Sequence, residues 1–285
     1  MVQYNQLMRI KEFIPDPALS SNYLTGTPLD LSLSRAGGLP KGVIYLVSGP
    51  AGVGKSTIVL TAEANMQAGY PDGKFLYVSV EMSPTEMKPI ADRFEKTKDL
   101  PVLFIPNGCS AIKISNVLSS VFKRGWDVIA IDSYEALKQA LRFQEKMSSA
   151  AADHFIMSLL NQHKDGQNDR KIHTSFLLLQ METKSGTVRG SNVLVHAVTS
   201  HMEVKFVNKD DPFSSRYVTF PKHRRGLENT KLYYDLFEDG DVFYDLEAYL
   251  EELDRGQSRY RTHHNRASLS DKLDELFKPT QISVK

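Results

Sequence analysis

Short, largely apolar runs recur along the first two thirds of the chain, at residues 43–47, 75–80, 102–105, 128–131 and 175–180. Runs of this length suit strands buried on both faces of a parallel sheet. Segments of helical length separate them. One helix is expected from Lys55 to about Ala68, closed by Gly69 and the turn at Pro71, Asp72 and Gly73. A second opens at Ser83 as cap, with Pro84 in its first turn and Glu86 three residues on, and Pro89 should kink it. An amphipathic helix ending near Gly125 and another over about 149–163 complete the alternation. Beyond Val198 the texture changes, and residues 202–206, 216–220 and 231–236 read as antiparallel strands at a sheet edge. The pattern predicts an α/β fold, a mostly parallel twisted sheet flanked by helices with a C-terminal antiparallel extension.

Residues 1–30, with turn chemistry around Pro15, Pro17, Gly26 and Pro28, read as an N-terminal arm, and 31–250 as one α/β domain. Residues 251–285 read as a basic linker followed by a short amphipathic helix, on which Leu269, Leu273, Leu276 and Phe277 share a face. So short a helix is marginal alone and is expected to dock on its own body or on a protein partner.

Composition narrows the classes. An apolar share of 41% supports a core, and 35 Lys+Arg against 34 Asp+Glu gives no global pull toward nucleic acid, so any polyanion site is a local patch. The one cysteine, Cys109, excludes an internal disulfide and a zinc ribbon. The first residues lack the apolar run of a secretion signal, and no stretch has the length of a membrane span. A cytoplasmic protein without a membrane partner is expected.

The chemistry is concentrated after the first strand. Gly49, Pro50, Ala51, Gly52, Val53, Gly54, Lys55 and Ser56 form the pattern GxxxxGK[ST], followed by Thr57. A chance match in a chain this long is about one in a hundred, and this one lies between a predicted strand and helix, the context that gives it meaning. The glycines let backbone N–H groups surround a phosphate, the helix adds its positive end, Lys55 supplies charge, and Ser56 offers a hydroxyl to Mg²⁺. ATP and Mg²⁺ are therefore the expected cofactors. Asp132, ending an apolar strand, suits a carboxylate that holds the metal through water, or else caps the next segment. Glu81 ends the second strand, where it could polarise water at the γ-phosphate or stand as a solvated strand end. A recurrence of Lys138, Arg142 and Lys146 would make one basic stripe if helical.

The order of phosphate loop, Val80-Glu81-Met82-Ser83 and Asp132-Ser133 resembles the RecA-like P-loop ATPase superfamily. The Val-Glu-Met-Ser segment is similar to DnaB-type helicases, in which the matching glutamate is catalytic. The run from Thr183 to Val198 looks like the RadA (Sms) branch-migration pattern, with Ser191 in place of its usual Pro and Val195 in place of its Glu. Lys222-His-Arg224-Arg-Gly226 has the KxRxG form of both groups, whose Lys and Arg reach a phosphate bound by a neighbouring subunit. From charge alone, the same segment reads as a solvated basic turn or a direct contact to nucleic-acid phosphates. The resemblance leads to the expectation of a stripped-down motor core, as in a phage or a reduced bacterial lineage, without the zinc and protease-like modules of RadA proteins or the N-terminal helical domain of DnaB-type helicases.

The resemblance implies a RecA-like core and a catalytic set of Lys55, Glu81, Asp132, Gln180, Lys222 and Arg224, with Gln180 as sensor of the γ-phosphate. It places Lys184 and Arg189 on a loop facing DNA in a hexamer or filament with ATP at subunit interfaces. The function expected is a DNA-dependent ATPase, an oligomeric motor or recombination or replication accessory on single-stranded or branched DNA. The alternative is a regulatory, KaiC-type ATPase whose nucleotide state controls protein partners.

Overall fold

The computed structural model describes residues 16–105, 112–183, 192–211 and 213–257. Strands β1 (Asn22–Tyr23) and β2 (Leu39–Pro40) pair as a small antiparallel ribbon around helix α1 (Leu29–Leu33). Tyr23 and Leu29, inside the stretch read as an arm, are core residues. The alternation follows as β3 (Ile44–Gly49), α2 (Lys55–Gly69), β4 (Phe75–Ser79), α3 (Pro84–Arg93), β5 (Val102–Phe104), α4 (Ile114–Lys123), β6 (Val128–Asp132), α5 (Tyr134–Gln144), α6 (Ser149–Lys164) and β7 (Ser175–Met181). The chain continues through α7 (Asn192–Ala197), β8 (Ser200–Phe206), β9 (Arg216–His223), β10 (Leu232–Leu236), β11 (Val242–Tyr244) and α8 (Leu246–Gln257).

The main sheet has the order β11-β10-β9-β8-β3-β7-β6-β4-β5 among the described residues. From β8 to β5 every neighbouring pair is parallel, whereas β9, β10 and β11 join antiparallel. The segment 202–206, expected as antiparallel, is therefore the last parallel strand as well as the start of the extension. Period-two alternation sends Tyr45, Val47, Tyr77, Ala130, Leu177 and Leu179 to the face covered by α1 and α2. Ile44, Leu46, Val78, Ile129, Ile131 and Leu178 go to the face under α4, α5 and α6. Burial on both faces is why these strands are continuously apolar.

Local signals act as the chain suggests. Ser83 and Glu86 form a reciprocal capping box at the start of α3, which runs on through Pro89 to Arg93. The basic stripe does not form. Lys138 is buried and its ammonium meets Asp153 Oδ2 of α6 at 2.7 Å, while Lys146 lies beyond the end of α5 with φ of 54°. No helix of the described residues is long and apolar enough to cross a membrane.

Candidate active site

The loop leaves the C-terminal end of β3 in the middle of the sheet, where ligands of open α/β sheets collect. Gly52 and Gly54 have φ of 74° and 100°, a region that side chains strain to enter. Gly54 is the N-cap of α2 and offers no side-chain cap, and the first helical bond is Ile58 N to Gly54 O. The amide groups of the loop and first turn are thus left for an anion, with the helix dipole behind them. A Cβ on Gly54 would lie 2.5 Å from Leu236, and Tyr234 donates its hydroxyl to Val53 O at 2.7 Å. The β10–β11 hairpin therefore holds the loop from the side.

Lys55, half-buried, donates its ammonium to Gly49 O at 2.9 Å and Pro50 O at 2.8 Å, curled into its own loop. Burial lowers its pKa, against the opposing pull of Asp132, Glu81 and Glu182. Three carboxylates thus act on one ammonium at the mouth of an amide cradle, favouring its charged form against burial.

Ser56, in the first turn of α2, donates its hydroxyl to Asp132 Oδ2 at 2.6 Å. These two hard oxygens, converging from a helix start and a strand end, fit Mg²⁺, which takes one or two protein oxygens and shares the rest with water and substrate phosphates. No cluster of three or more His, Cys, Asp or Glu able to hold a metal ion occurs among the described residues. Thr57 follows Ser56 in the first turn.

Glu81 stands exposed just past β4, and one of its carboxylate oxygens accepts from the Ser133 hydroxyl. Ser133, joined to Asp132 by a cis peptide, also caps α5 by accepting from Ala136 N at 3.3 Å. Gln180 is buried beneath, and its carboxamide oxygen accepts from Glu135 N at 3.1 Å. The start of α5 thus ties Glu81, Asp132 and Gln180 into one rigid corner.

Lys222 and Arg224 lie elsewhere. Pairing sets Lys222 opposite His201 and Ser200 opposite Tyr45, so the end of β9 sits where β3 begins. The loop leaves where β3 finishes, four residues or roughly 13 Å along the strand, and β8 intervenes. Lys222 Nζ donates to the carbonyls of Val195, Val198 and His196 at 2.7–2.9 Å, closing the C-terminus of α7. Arg224 is exposed, and its guanidinium has no ion pair among the described residues. Between them His223 is a core residue, bonded to Ser200 Oγ at 2.8 Å and Ser32 O at 2.9 Å and stacked on Phe220. Lys184, Arg189 and residues 268–278 lie outside the described residues.

Three neighbours of the site escaped the sequence. Tyr77, within an apolar strand, donates its phenol to Asp132 Oδ2. Glu182 accepts from Ser48 Oγ at 2.9 Å, and burial raises its pKa. Glu63, fully buried on α2, has neither carboxyl oxygen bonded among the described residues. For Tyr77 the signal was a phenol hydroxyl in a buried run, which needs a partner.

No protein-family model matches the chain. It is 30% identical over 174 residues to DNA repair protein RadA of Campylobacter jejuni, covering 59% of this chain and 35% of that one. To Protein RecA of Mycolicibacterium smegmatis it is 29% identical over 188 residues, 65% of this chain and 52% of that one. These matches thus span about a third to a half of the curated relatives' length. Among solved structures, a KaiC-like protein of Pyrococcus horikoshii superposes with a TM-score of 0.60 at 15% identity, covering 79% of this chain and 99% of that one. Homologues of two RecA-like kinds, a neighbour of the same fold and a phosphate loop between β3 and α2 lead to one assignment: the chain belongs to the RecA-like P-loop ATPase superfamily.

Proposed function

We propose that the chain is a DNA-stimulated ATPase whose active site is completed by a second copy, working as a motor or recombination accessory on single-stranded or branched DNA. The observation that carries this reading is the placement of the cations. The phosphate loop and Arg224 sit at opposite ends of the same sheet, so one copy's Arg224 is presented to the loop of the next in a head-to-tail assembly. The relatives named for DNA repair support the DNA-directed part of the reading.

In this mechanism the loop amides and Lys55 bind the β- and γ-phosphates, the ammonium exchanging its two loop carbonyls for phosphate oxygens. Ser56 and Asp132 would hold Mg²⁺, which neutralises charge on the phosphate oxygens when bound. Glu81 orients a water and takes its proton as the water oxygen bonds to the γ-phosphorus and the bond to the β-bridging oxygen breaks. Arg224 of the adjacent copy offers a planar fork to the charge that develops there. Lys222 secures α7, the helix following residues 184–191, and so links that cation pair to the segment that carries Lys184 and Arg189. These two would contact a DNA backbone without reading its sequence.

Hydrolysis measured with and without single-stranded DNA, at low and moderate salt and with Lys55→Ala as blank, tests the reading. Salt-sensitive stimulation by DNA is expected. A Lys55-dependent rate that DNA leaves unchanged overturns the DNA-directed part and favours a regulatory ATPase acting on protein partners.

A further inference from the structure

We infer that Tyr77 is a positioning residue that fixes the Asp132 carboxylate for its metal, an inference that rests on the nucleotide site proposed above. Tyr77 lies at the middle of β4, in register with Ala130 of β6, and Asp132 is two residues further along the same face. Diagonal neighbours of this kind are roughly 7–8 Å apart at Cα, a gap that a phenol spans and a serine does not. The ring is fully buried among core side chains, so its hydroxyl has one course open to it, and it donates to Asp132 Oδ2.

Ser56 donates to that same oxygen. Two hydroxyls on Oδ2, one from a helix and one from the neighbouring strand, prevent the carboxylate from turning about its own axis. Oδ1 is left without a donor among the described residues. Ser56 sits in the first helical turn after the phosphate loop, whereas Tyr77 is buried within the sheet. Tyr77 is thus the donor that keeps the carboxylate aimed whatever the loop does. Partners of this sort set metal affinity through the ligand they orient.

The test is Tyr77→Phe, which keeps the ring and removes the hydroxyl. Binding of a fluorescent ADP analogue is followed in EDTA and during Mg²⁺ titration, without reliance on turnover. Affinity in EDTA should stay within about twofold, while the Mg²⁺ concentration for half-maximal effect rises roughly tenfold or more. A Mg²⁺ curve that superimposes on that of the unchanged protein overturns the inference. So does an equal loss with and without Mg²⁺, the mark of a merely structural role. Should Tyr77→Phe fold poorly, the pair Asp132→Asn and Tyr77→Phe/Asp132→Asn decides: no further rise in the Mg²⁺ requirement in the double variant supports the inference, and an additive rise rejects it. Absence of Lys55-dependent binding in the unchanged protein is the separate result that rejects the nucleotide site itself.

Discussion

The Ser56 hydroxyl and the Asp132 carboxylate meet at 2.6 Å, joining the first turn of α2 to the end of β6. The contact spans 76 positions of sequence. It brings a helix start beside a strand end at the rim of a parallel sheet, where the backbone amides already point outward. The proposed mechanism depends on keeping these two oxygens together.

Lys55→Ala should abolish specific nucleotide binding and lower hydrolysis by about 10²–10³-fold. Among the described residues the side chain bonds only to carbonyls of its own loop, so the fold should survive its removal. Titration with a fluorescent ATP analogue, alongside circular dichroism, separates the two effects.

Glu81→Gln should separate binding from turnover. Glu81 is exposed and touches Ser133 rather than the loop, so nucleotide affinity is expected to change little. Hydrolysis should fall by about 10²–10⁴-fold as the proton acceptor is lost. Single-turnover rates and equilibrium affinity on the same sample check both halves.

Glu63 predicts a pH signature of stability. Burial raises its pKa well above 4.5, outweighing the backbone of Ala130, which pulls the other way. Below about pH 4.5 both folded and unfolded chains carry the proton and nothing is lost. As pH rises, the unfolded carboxyl ionises while the folded one stays neutral, costing up to about 1.4 kcal/mol per pH unit until the folded pKa is reached. Glu63→Gln should therefore raise the melting temperature at pH 7–8 by several degrees and lose its advantage toward pH 4.5. Scanning calorimetry across that range is the check, and a constant difference at all pH values would contradict it.

The sequence carried most of the fold because the parallel strands are buried on both faces and announce themselves as apolar runs. It also carried the loop and Asp132, whose residue types admit few other arrangements. The parallel course of β8 was illegible, since alternating polarity marks a strand with one mixed face and says nothing of direction. The stripe through Lys138 misled for a related reason. A helical period places residues on one face without saying which face is wet, and here Tyr134 and Lys138 both turn inward to Asp153. Tyr77 and Glu63 were missed because a polar atom in an apolar run gains its meaning from a partner on another strand.

That buried pair yields a prediction of its own. Asp153→Ala strips the partner from a nearly inaccessible ammonium and should cost about 2–3 kcal/mol, below the ~3–5 kcal/mol of a fully buried pair because Asp153 keeps 25% of its side-chain surface exposed. Lys138→Met/Asp153→Ala should recover part of that loss. Urea denaturation of both variants measures it.

Mixing two inactive variants tests most directly whether the site lies between copies. Lys55→Ala retains Arg224, Arg224→Ala retains the loop, and each alone should be depleted in hydrolysis by roughly 10²–10³-fold or more. Combined in equal amounts, they leave about one interface in four with both parts intact. The account predicts that the mixture regains activity well above the sum of its components, up to about a quarter of the unchanged protein. A mixture no more active than that sum, under conditions where the copies exchange, would contradict it.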